Sequence, residues 1–488
     1  MIIGILLLAL WVAPLIAVIL CLVVRHPRAC EAFNLIAAAV VIASALPLPF
    51  LVDGHDLLFW DDYILLDRTG AWVILCSSIV YFLASIYAVG YMRLLDEDER
   101  LYQFYALFAA FGLTTLIGPL MNSVGIYWIA IELTTLVSTF LVAFERVAES
   151  MEAAWKYIMV VSAGISLALL GTILFYWGGS FVLGPSYKMT WSVLADAAPQ
   201  INPVLMVLAF LLVLVGYGTK VGLAPMHTWL PDAHSEAPAP VSAMLSGALL
   251  NTAMVGIVRF LAITRRTSIG ELPQLVLVLF GTVSLLIGAL FIVRQKGIKR
   301  LMAYSSVEHM GVVALGFGFG GPLGIAGALY HMLNHSLNKS LMFFGAGNVM
   351  RAYGSKEIGH IRGVGRLLPA QAGLWLAGAI AITGAPPFGL FLSEFTIMRA
   401  GLTPSFSWAV YVMAVLLIVI FIGFMNHFRV MYYEAADNEP AAPGRLSGWC
   451  AVPMWLALAP LLVLGLWWPG GIWNYLASAA QTLSPGAL

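Results

Sequence analysis

Residues 203–240 read PVLMVLAFLLVLVGYGTKVGLAPMHTWLPDAHSEAPAP, and the reading of this stretch decides the fold. A bilayer-spanning helix needs about 20 mostly apolar residues. This run is too long for one straight crossing, carries Lys220 near its centre and is interrupted by Pro225 and Pro231. Proline removes a backbone donor and kinks a helix. Inside lipid, the carbonyls it frees must be buried in protein or line a wet cavity. A second overlong segment, 370–400, is interrupted by Pro386 and Pro387. Two broken helices in corresponding halves of a chain point to an inverted-repeat transporter. For either segment alone, a kinked helix followed by a surface turn is the plainer alternative.

The composition agrees. Of 488 residues, 61% are hydrophobic and 10% charged, against about 25% charged in a soluble domain. That excludes an aqueous enzyme and leaves an all-α polytopic membrane protein. The net charge of zero argues against a nucleic-acid binder, which needs a basic face. Cys21, Cys30, Cys76 and Cys450 form no CxxC pair, which argues against an iron–sulfur cluster or a disulfide framework. No cofactor is expected in this chain. With no Walker loop, GxSxG motif or closed metal-ligand set, no standalone active site is expected either.

Fourteen spans are expected: 2–23, 32–52, 70–92, 102–119, 122–144, 153–177, 203–230, 240–263, 272–293, 301–319, 323–348, 370–400, 407–430 and 449–468. The first has no basic flank before it and reads as a retained helix, not a cleaved signal. With residue 1 outside, the inside loops hold fifteen basic residues: Arg25, Arg28, Arg93, Arg100, Arg146, Arg294, Lys296, Lys299, Arg300, Arg351, Lys356, Arg362, Arg366, Arg429 and Arg445. The outside loops hold four, Arg68, Lys188, Arg265 and Arg266. Basic loops stay inside, so both termini are expected outside. The acidic loop 53–69, with Asp53, Asp56, Asp61, Asp62 and Asp67, then lies outside as well.

Ionisable side chains at membrane depth cost roughly 2.5–3.5 kcal/mol each on insertion scales, and they usually mark an ion route. This chain has Glu132, Lys220, Glu308, His309, His331, His335, Lys339 and Glu394 within expected spans. His331, His335 and Lys339 are four residues apart and share one helical stripe. Buried lysine and histidine are the side chains whose protonation responds to a moving carboxylate, so Glu132, Lys220, His331, His335, Lys339 and Glu394 can form a proton line. Bland readings stand beside this one. Glu132 can be a structural partner for Lys220, and the histidines can be interhelical hydrogen-bonding groups. Glu308 and His309 are adjacent, so one is expected to point away from the other. His427 and Arg429 read as snorkelling anchors. A metal at His331 and His335 is disfavoured, because no carboxylate or cysteine lies in their segment. A metal at His227, Asp232, His234 and Glu236 is disfavoured too. The spacings Glu132 to Glu308, Lys156 to His331 and Lys220 to Glu394 are all about 175 residues, as a repeat requires, whereas Ala224-Pro225 and Ala385-Pro386 are about 160 apart and break the pattern.

Five segments carry a resemblance: WIAIELTT (128–135), YGTKVGLAPMHTWLPDAHSEAPAP (217–240), RLMAYSSVEHM (300–310), HMLNHSLNKSLMFFGAG (331–347) and TGAPPFGLFLSEF (383–395). They resemble the antiporter-like subunits of respiratory complex I, the multisubunit Na⁺/H⁺ antiporters and the membrane-bound nickel–iron hydrogenases. Together with EAAWKY (152–157), they are most similar to the F component of hydrogenase-4. The resemblance implies an N-terminal three-helix segment (1–100), two inverted five-helix repeats (101–265 and 266–430), each with a broken helix, and a C-terminal helix (431–488). It implies that Glu132 and Lys220 are the carboxylate–lysine pair of the first half-channel. His331, His335 and Lys339 would then be the central relay and Glu394 the acidic exit. Lys156, His227, His234, Asn251, Glu308 and His309 become relay or lining residues. Asn251 stands where many pumping relatives have lysine, and it cannot carry a proton at neutral pH. No long lateral helix follows the last expected span.

The expected function is a proton-translocating subunit of a prokaryotic inner-membrane hydrogenase or complex-I-like assembly. Its partners would be membrane lipid, other membrane and peripheral subunits, and H⁺. A Na⁺/H⁺ antiporter subunit and an ion-inactive scaffold are the alternatives.

Overall fold

The computed structural model describes residues 2–52, 56–94, 98–434 and 447–483. Asp53 and Arg445, which figure in the expected loops, lie outside the described residues. Among those described, eleven helices are long and apolar enough to cross a membrane. The other three expected spans correspond to Ile298–Phe319, Gly321–Tyr353 and the pair Pro369–Ile382 and Gly389–Gly401. These are the elements richest in buried ionisable groups, or are broken in mid-course, which is why hydropathy alone ranks them below the rest.

Three helices form the core: Arg68–Met92, Ala239–Thr264 and Gly321–Tyr353. The last, here called the central helix, is buried at every position from Gly324 to Val349. Lipid tails are as apolar as leucine, so helices in a bilayer associate through close packing and hydrogen bonds. Both are present. Trp72 Nε1 donates to Leu329 O at 2.8 Å, and Tyr87 OH sits 3.0 Å from both Phe344 O and Asn348 Oδ1. Leu272–Val293 and Ile298–Phe319 meet backbone to backbone, where a Cβ on Gly311 would stand 2.7 Å from Gly281 O. The outer helices present a band of exposed apolar side chains, Phe140, Phe181, Val204, Leu290 and Ile422 among them. In water such a band would drive association; in lipid it is the matched surface.

Three departures from expectation have local causes. The expected span 153–177 is part of a longer helix, Ala148–Leu183, which ends at Gly184 with φ +89°. The loop 53–69 is not wholly irregular. Leu57–Phe59 pairs antiparallel with Ile64–Leu66 around a turn in which Trp60, Asp61 and Asp62 have positive φ, so the described residues are all-α apart from this small hairpin and three isolated bridges. The C-terminal segment adds Gly470–Leu483, too short to read as a span. It packs one face through Leu476, Ala479, Ala480 and Leu483, and Tyr475 OH donates to Arg68 O at 2.6 Å.

Arg259 lies in the expected span 240–263, and the sequence reading gave it no role. It is buried, and its Nη2 reaches both oxygens of Asp67 at 3.0 Å. Asp67 also caps Arg68–Met92 by accepting from Gly70 N at 2.6 Å. The pair ties two core helices together beside the hairpin. Removing either partner would strand a buried charge, the expensive way to break an ion pair.

Candidate functional site

The first broken helix is built by its own sequence. Pro203–Val221 ends where Gly222 takes the left-handed conformation (φ +79°), and Leu223 N returns to Gly218 O at 2.9 Å. A turn through Pro225 and Met226–Thr228 leads into a second half, Trp229–Glu236. The freed backbone groups find protein partners. Trp229 Nε1 donates to Thr219 O at 2.7 Å, and Ala224 N donates to Ser284 Oγ at 2.9 Å. This is the internal satisfaction that a non-helical stretch at membrane depth requires.

Lys220 sits in the last turn before this break, where the helix carbonyl end favours a cation. It is wholly buried. Its Nζ donates to Thr135 Oγ1 at 2.8 Å and to Tyr157 OH at 2.9 Å; Tyr157 OH in turn lies 2.7 Å from Ser138 Oγ. Glu132 joins the group indirectly. Ser162 Oγ donates to Glu132 Oε1 at 2.7 Å, and Thr135 Oγ1 lies 3.4 Å from Glu132 Oε2. The carboxylate and the ammonium therefore communicate through one hydroxyl. Glu132 is half-buried, on a helix whose neighbouring Ile129, Leu133 and Leu136 are exposed.

The second group surrounds the other break. Pro369–Ile382 and Gly389–Gly401 are joined by a turn in which Gly384 has φ +65°. Glu394, one turn into the second half, folds its carboxylate back against Gly384, where a Cβ would overlap Oε2. His331 Nδ1 lies 2.9 Å from Ser393 Oγ, and its Nε2 lies 3.0 Å from His309 Nδ1. His309 Nε2 lies 3.5 Å from Glu308 Oε2, a charge contact without hydrogen-bond geometry. Glu308 and His309 are thus both buried and face one another, against the expectation that one of them would point away. The His309 ring stands 5.6 Å from that of His335. Lys339 donates to Met302 O at 3.1 Å and to Ser305 Oγ.

Between the groups stands Trp229, packed on Tyr157 at 4.7 Å and on His234 at 5.9 Å. His234 is wholly buried and also packs on Phe343 of the central helix at 5.7 Å. It bridges the halves in a way its sequence position only hinted at. Asn251 follows a widened turn at Leu245–Leu249. Its amide donates to Ser336 Oγ at 2.9 Å and Gly247 O at 3.1 Å, so it braces the central helix beside His335.

Other candidates lie apart. Lys156 is half-exposed and ion-paired to Glu152 at 2.6 Å and Asp232 at 3.3 Å. Asp232 also meets Arg300 at 2.8 Å, and Glu236 meets Lys356 at 2.6 Å. These carboxylates are thus held by cations at the surface, while His234 turns inward. His227 is buried against Tyr304, with its Nδ1 unpartnered. His427 Nε2 donates to Ile292 O at 2.7 Å, and Arg429 binds Glu434 at 3.3 Å near a helix end. No carboxylate shares a helix with His331 and His335, which is why a metal there was not expected. The fold supplies one from elsewhere: single donor atoms of His309, His331 and Glu394 lie within 4.8 Å of one another.

Several buried polar atoms lack a protein partner among the described residues: both ring nitrogens of His234 and His335, both oxygens of Glu308, and Oε1 of Glu394. A polar atom buried without a partner costs about 1–3 kcal/mol.

The family described as NADH:quinone oxidoreductase/Mrp antiporter, TM matches residues 122–423. Over 400 residues the chain is 34% identical to a hydrogenase-4 component F homolog of Methylacidiphilum infernorum, covering 80% of this chain and 83% of that one. Over 455 residues it is 30% identical to NADH-quinone oxidoreductase subunit N of Desulforudis audaxviator, covering 88% and 86%. Its fold is similar to that of a chain in the membrane-bound sulfane sulfur reductase, an archaeal respiratory membrane complex, with a TM-score of 0.88 at 24% identity over 98% of each chain. The chain belongs to the NADH:quinone oxidoreductase/Mrp antiporter family of integral membrane proteins.

Proposed function

We propose that this chain is the proton-translocating membrane subunit of a hydrogenase-4-type or complex-I-like assembly. Redox chemistry in partner subunits drives it, through Glu132, Lys220, His331, His335, Lys339 and Glu394, with His234, Glu308 and His309 as intermediate stations. The observation that carries the reading is the run of buried ionisable side chains with unpartnered polar atoms, at two helix breaks and along the central helix between them. Water taking those open valences would complete a path for H⁺. Glu132, half-buried beside exposed apolar residues, lies where a neighbouring subunit can reach it; moving its charge alters the hold on Lys220 through Thr135. The donor set favours H⁺ over Na⁺, since the groups along the path are rich in nitrogen, whereas hard cations prefer oxygen ligands.

The same reading has fourteen crossings in a prokaryotic inner membrane, both termini outside, and two inverted repeats, 101–265 and 266–430. A broken helix at the same serial place in each half supports the repeats. So does the spacing of about 175 residues that pairs Lys220 with Glu394.

Purification of the intact chain in mild detergent, followed by mass spectrometry of what accompanies it, tests the assignment. A hydrogenase large subunit with other membrane subunits is the expected result. A set of small antiporter proteins with no redox subunit would overturn it in favour of Na⁺/H⁺ exchange.

A further inference from the structure

We infer that His309, His331 and Glu394 form a binding site for a divalent transition metal of the Zn²⁺ class. The donors come from three helices, Ile298–Phe319, Gly321–Tyr353 and Gly389–Gly401, and all three residues are buried. Their donor atoms already lie within 4.8 Å of one another. Two imidazole nitrogens on a tetrahedral ion, each about 2.0–2.1 Å from it, stand about 3.3–3.4 Å apart. His309 Nδ1 and His331 Nε2 are 3.0 Å apart, so they need to part by only a few tenths of an ångström. Glu394 Oε1 has no protein hydrogen bond to give up when it turns toward the pair.

The second shell fits as well. Ligating histidines keep their other ring nitrogen on a hydrogen-bond acceptor, which fixes the tautomer. With Nε2 of His331 on the metal, its Nδ1–H meets Ser393 Oγ at 2.9 Å. With Nδ1 of His309 on the metal, its ring proton moves to Nε2, which faces Glu308 Oε2 at 3.5 Å. Binding therefore needs a change of tautomer at His309, with no proton lost from either imidazole, and a deprotonated Glu394 carboxylate. Two imidazoles and a carboxylate suit Zn²⁺ and its borderline-soft relatives, while Mg²⁺ and Ca²⁺ prefer oxygen alone. Gly384, half-buried at the second helix break, lies against the Glu394 carboxylate.

The binding claim stands on these donors alone. Its consequence, that the ion arrests proton movement by breaking the His309–His331 contact, rests on the proposed function. The test uses the full chain with its copurifying partners in mild detergent, stripped by a chelator and titrated with Zn²⁺ against a chromophoric zinc indicator. One saturable site per chain is expected, undisturbed by excess Mg²⁺. His309→Ala, His331→Ala and Glu394→Gln are each expected to weaken it by at least about 10–100-fold, as much as the loss of an outer-shell partner. His360→Ala, at an exposed histidine, is expected to leave it unchanged. Zinc-edge X-ray absorption of the wild type should report two imidazoles and one carboxylate. Fewer than two imidazoles, or equal affinity in the variants, would overturn the site. His309→Asn, close in size, replaces any alanine variant that fails to fold. Zinc binding without inhibition of proton uptake would contradict the proposed function and leave the site standing.

Discussion

Lys220→Ala is expected to abolish proton uptake by the assembled complex while electron transfer through its partners continues. Lys220 is the only ionisable group touching both Thr135 and Tyr157 among the described residues, at 2.8 and 2.9 Å. Alanine removes the proton carrier and leaves two buried hydroxyls short of a partner, each worth about 1–3 kcal/mol. A loss of transport from alanine alone would therefore mix chemistry with folding. Lys220→Arg separates them. Guanidinium keeps the positive charge and the donors but does not deprotonate in proteins. It is expected to leave assembly near normal and to stop transport as completely as alanine. Redox-driven acidification or alkalinisation of dye-loaded proteoliposomes reads both variants. Transport by Lys220→Arg at the wild-type rate would mean that charge matters here and titration does not.

Gly384→Ala is expected to damage the second break more than any other small substitution there. Its φ of +65° is a conformation that alanine adopts at a cost of about 1–2 kcal/mol. The new methyl would also overlap the Glu394 carboxylate, and overpacking adds about 1–3 kcal/mol. The combined loss, roughly 2–5 kcal/mol, should lower the unfolding temperature in detergent and displace Glu394 from the His309–His331 pair. Gly373→Ala is the matched control, since nothing lies within 4 Å of its added methyl. Equal unfolding temperatures for the two variants would show that Glu394 is not held against the break.

The two helix breaks were legible because proline at membrane depth has few explanations, and Pro225 and the Pro386–Pro387 pair mark them directly. The stripe of His331, His335 and Lys339 was legible from its four-residue steps, and the central helix buries all three. What pattern could not supply was distance between helices. Arg259 and Asp67 are 192 residues apart, and nothing local joins them. The packing of His234 between Trp229 and Phe343 was hidden for the same reason. On its own segment it is one of four ionisable residues, and only packing shows that Asp232 and Glu236 turn to surface cations while His234 turns inward. Glu308 and His309 misled in the opposite sense. Neighbouring side chains on a helix diverge by about 100°, yet both are enclosed because the helix that carries them is buried on every side at that level. The short hairpin and the C-terminal helix fell below the length at which hydropathy speaks.

The central claim is that water threads the buried groups from Lys220 to Glu394. Electron cryomicroscopy of the complex, at a resolution that shows ordered water, tests it most directly. Water within hydrogen-bond reach of His234, His335, Glu308 and Glu394 Oε1, linked in a row to the Lys220 group, is the result this account predicts. Dry, closed packing around those atoms, or side chains turned out to lipid, would contradict it.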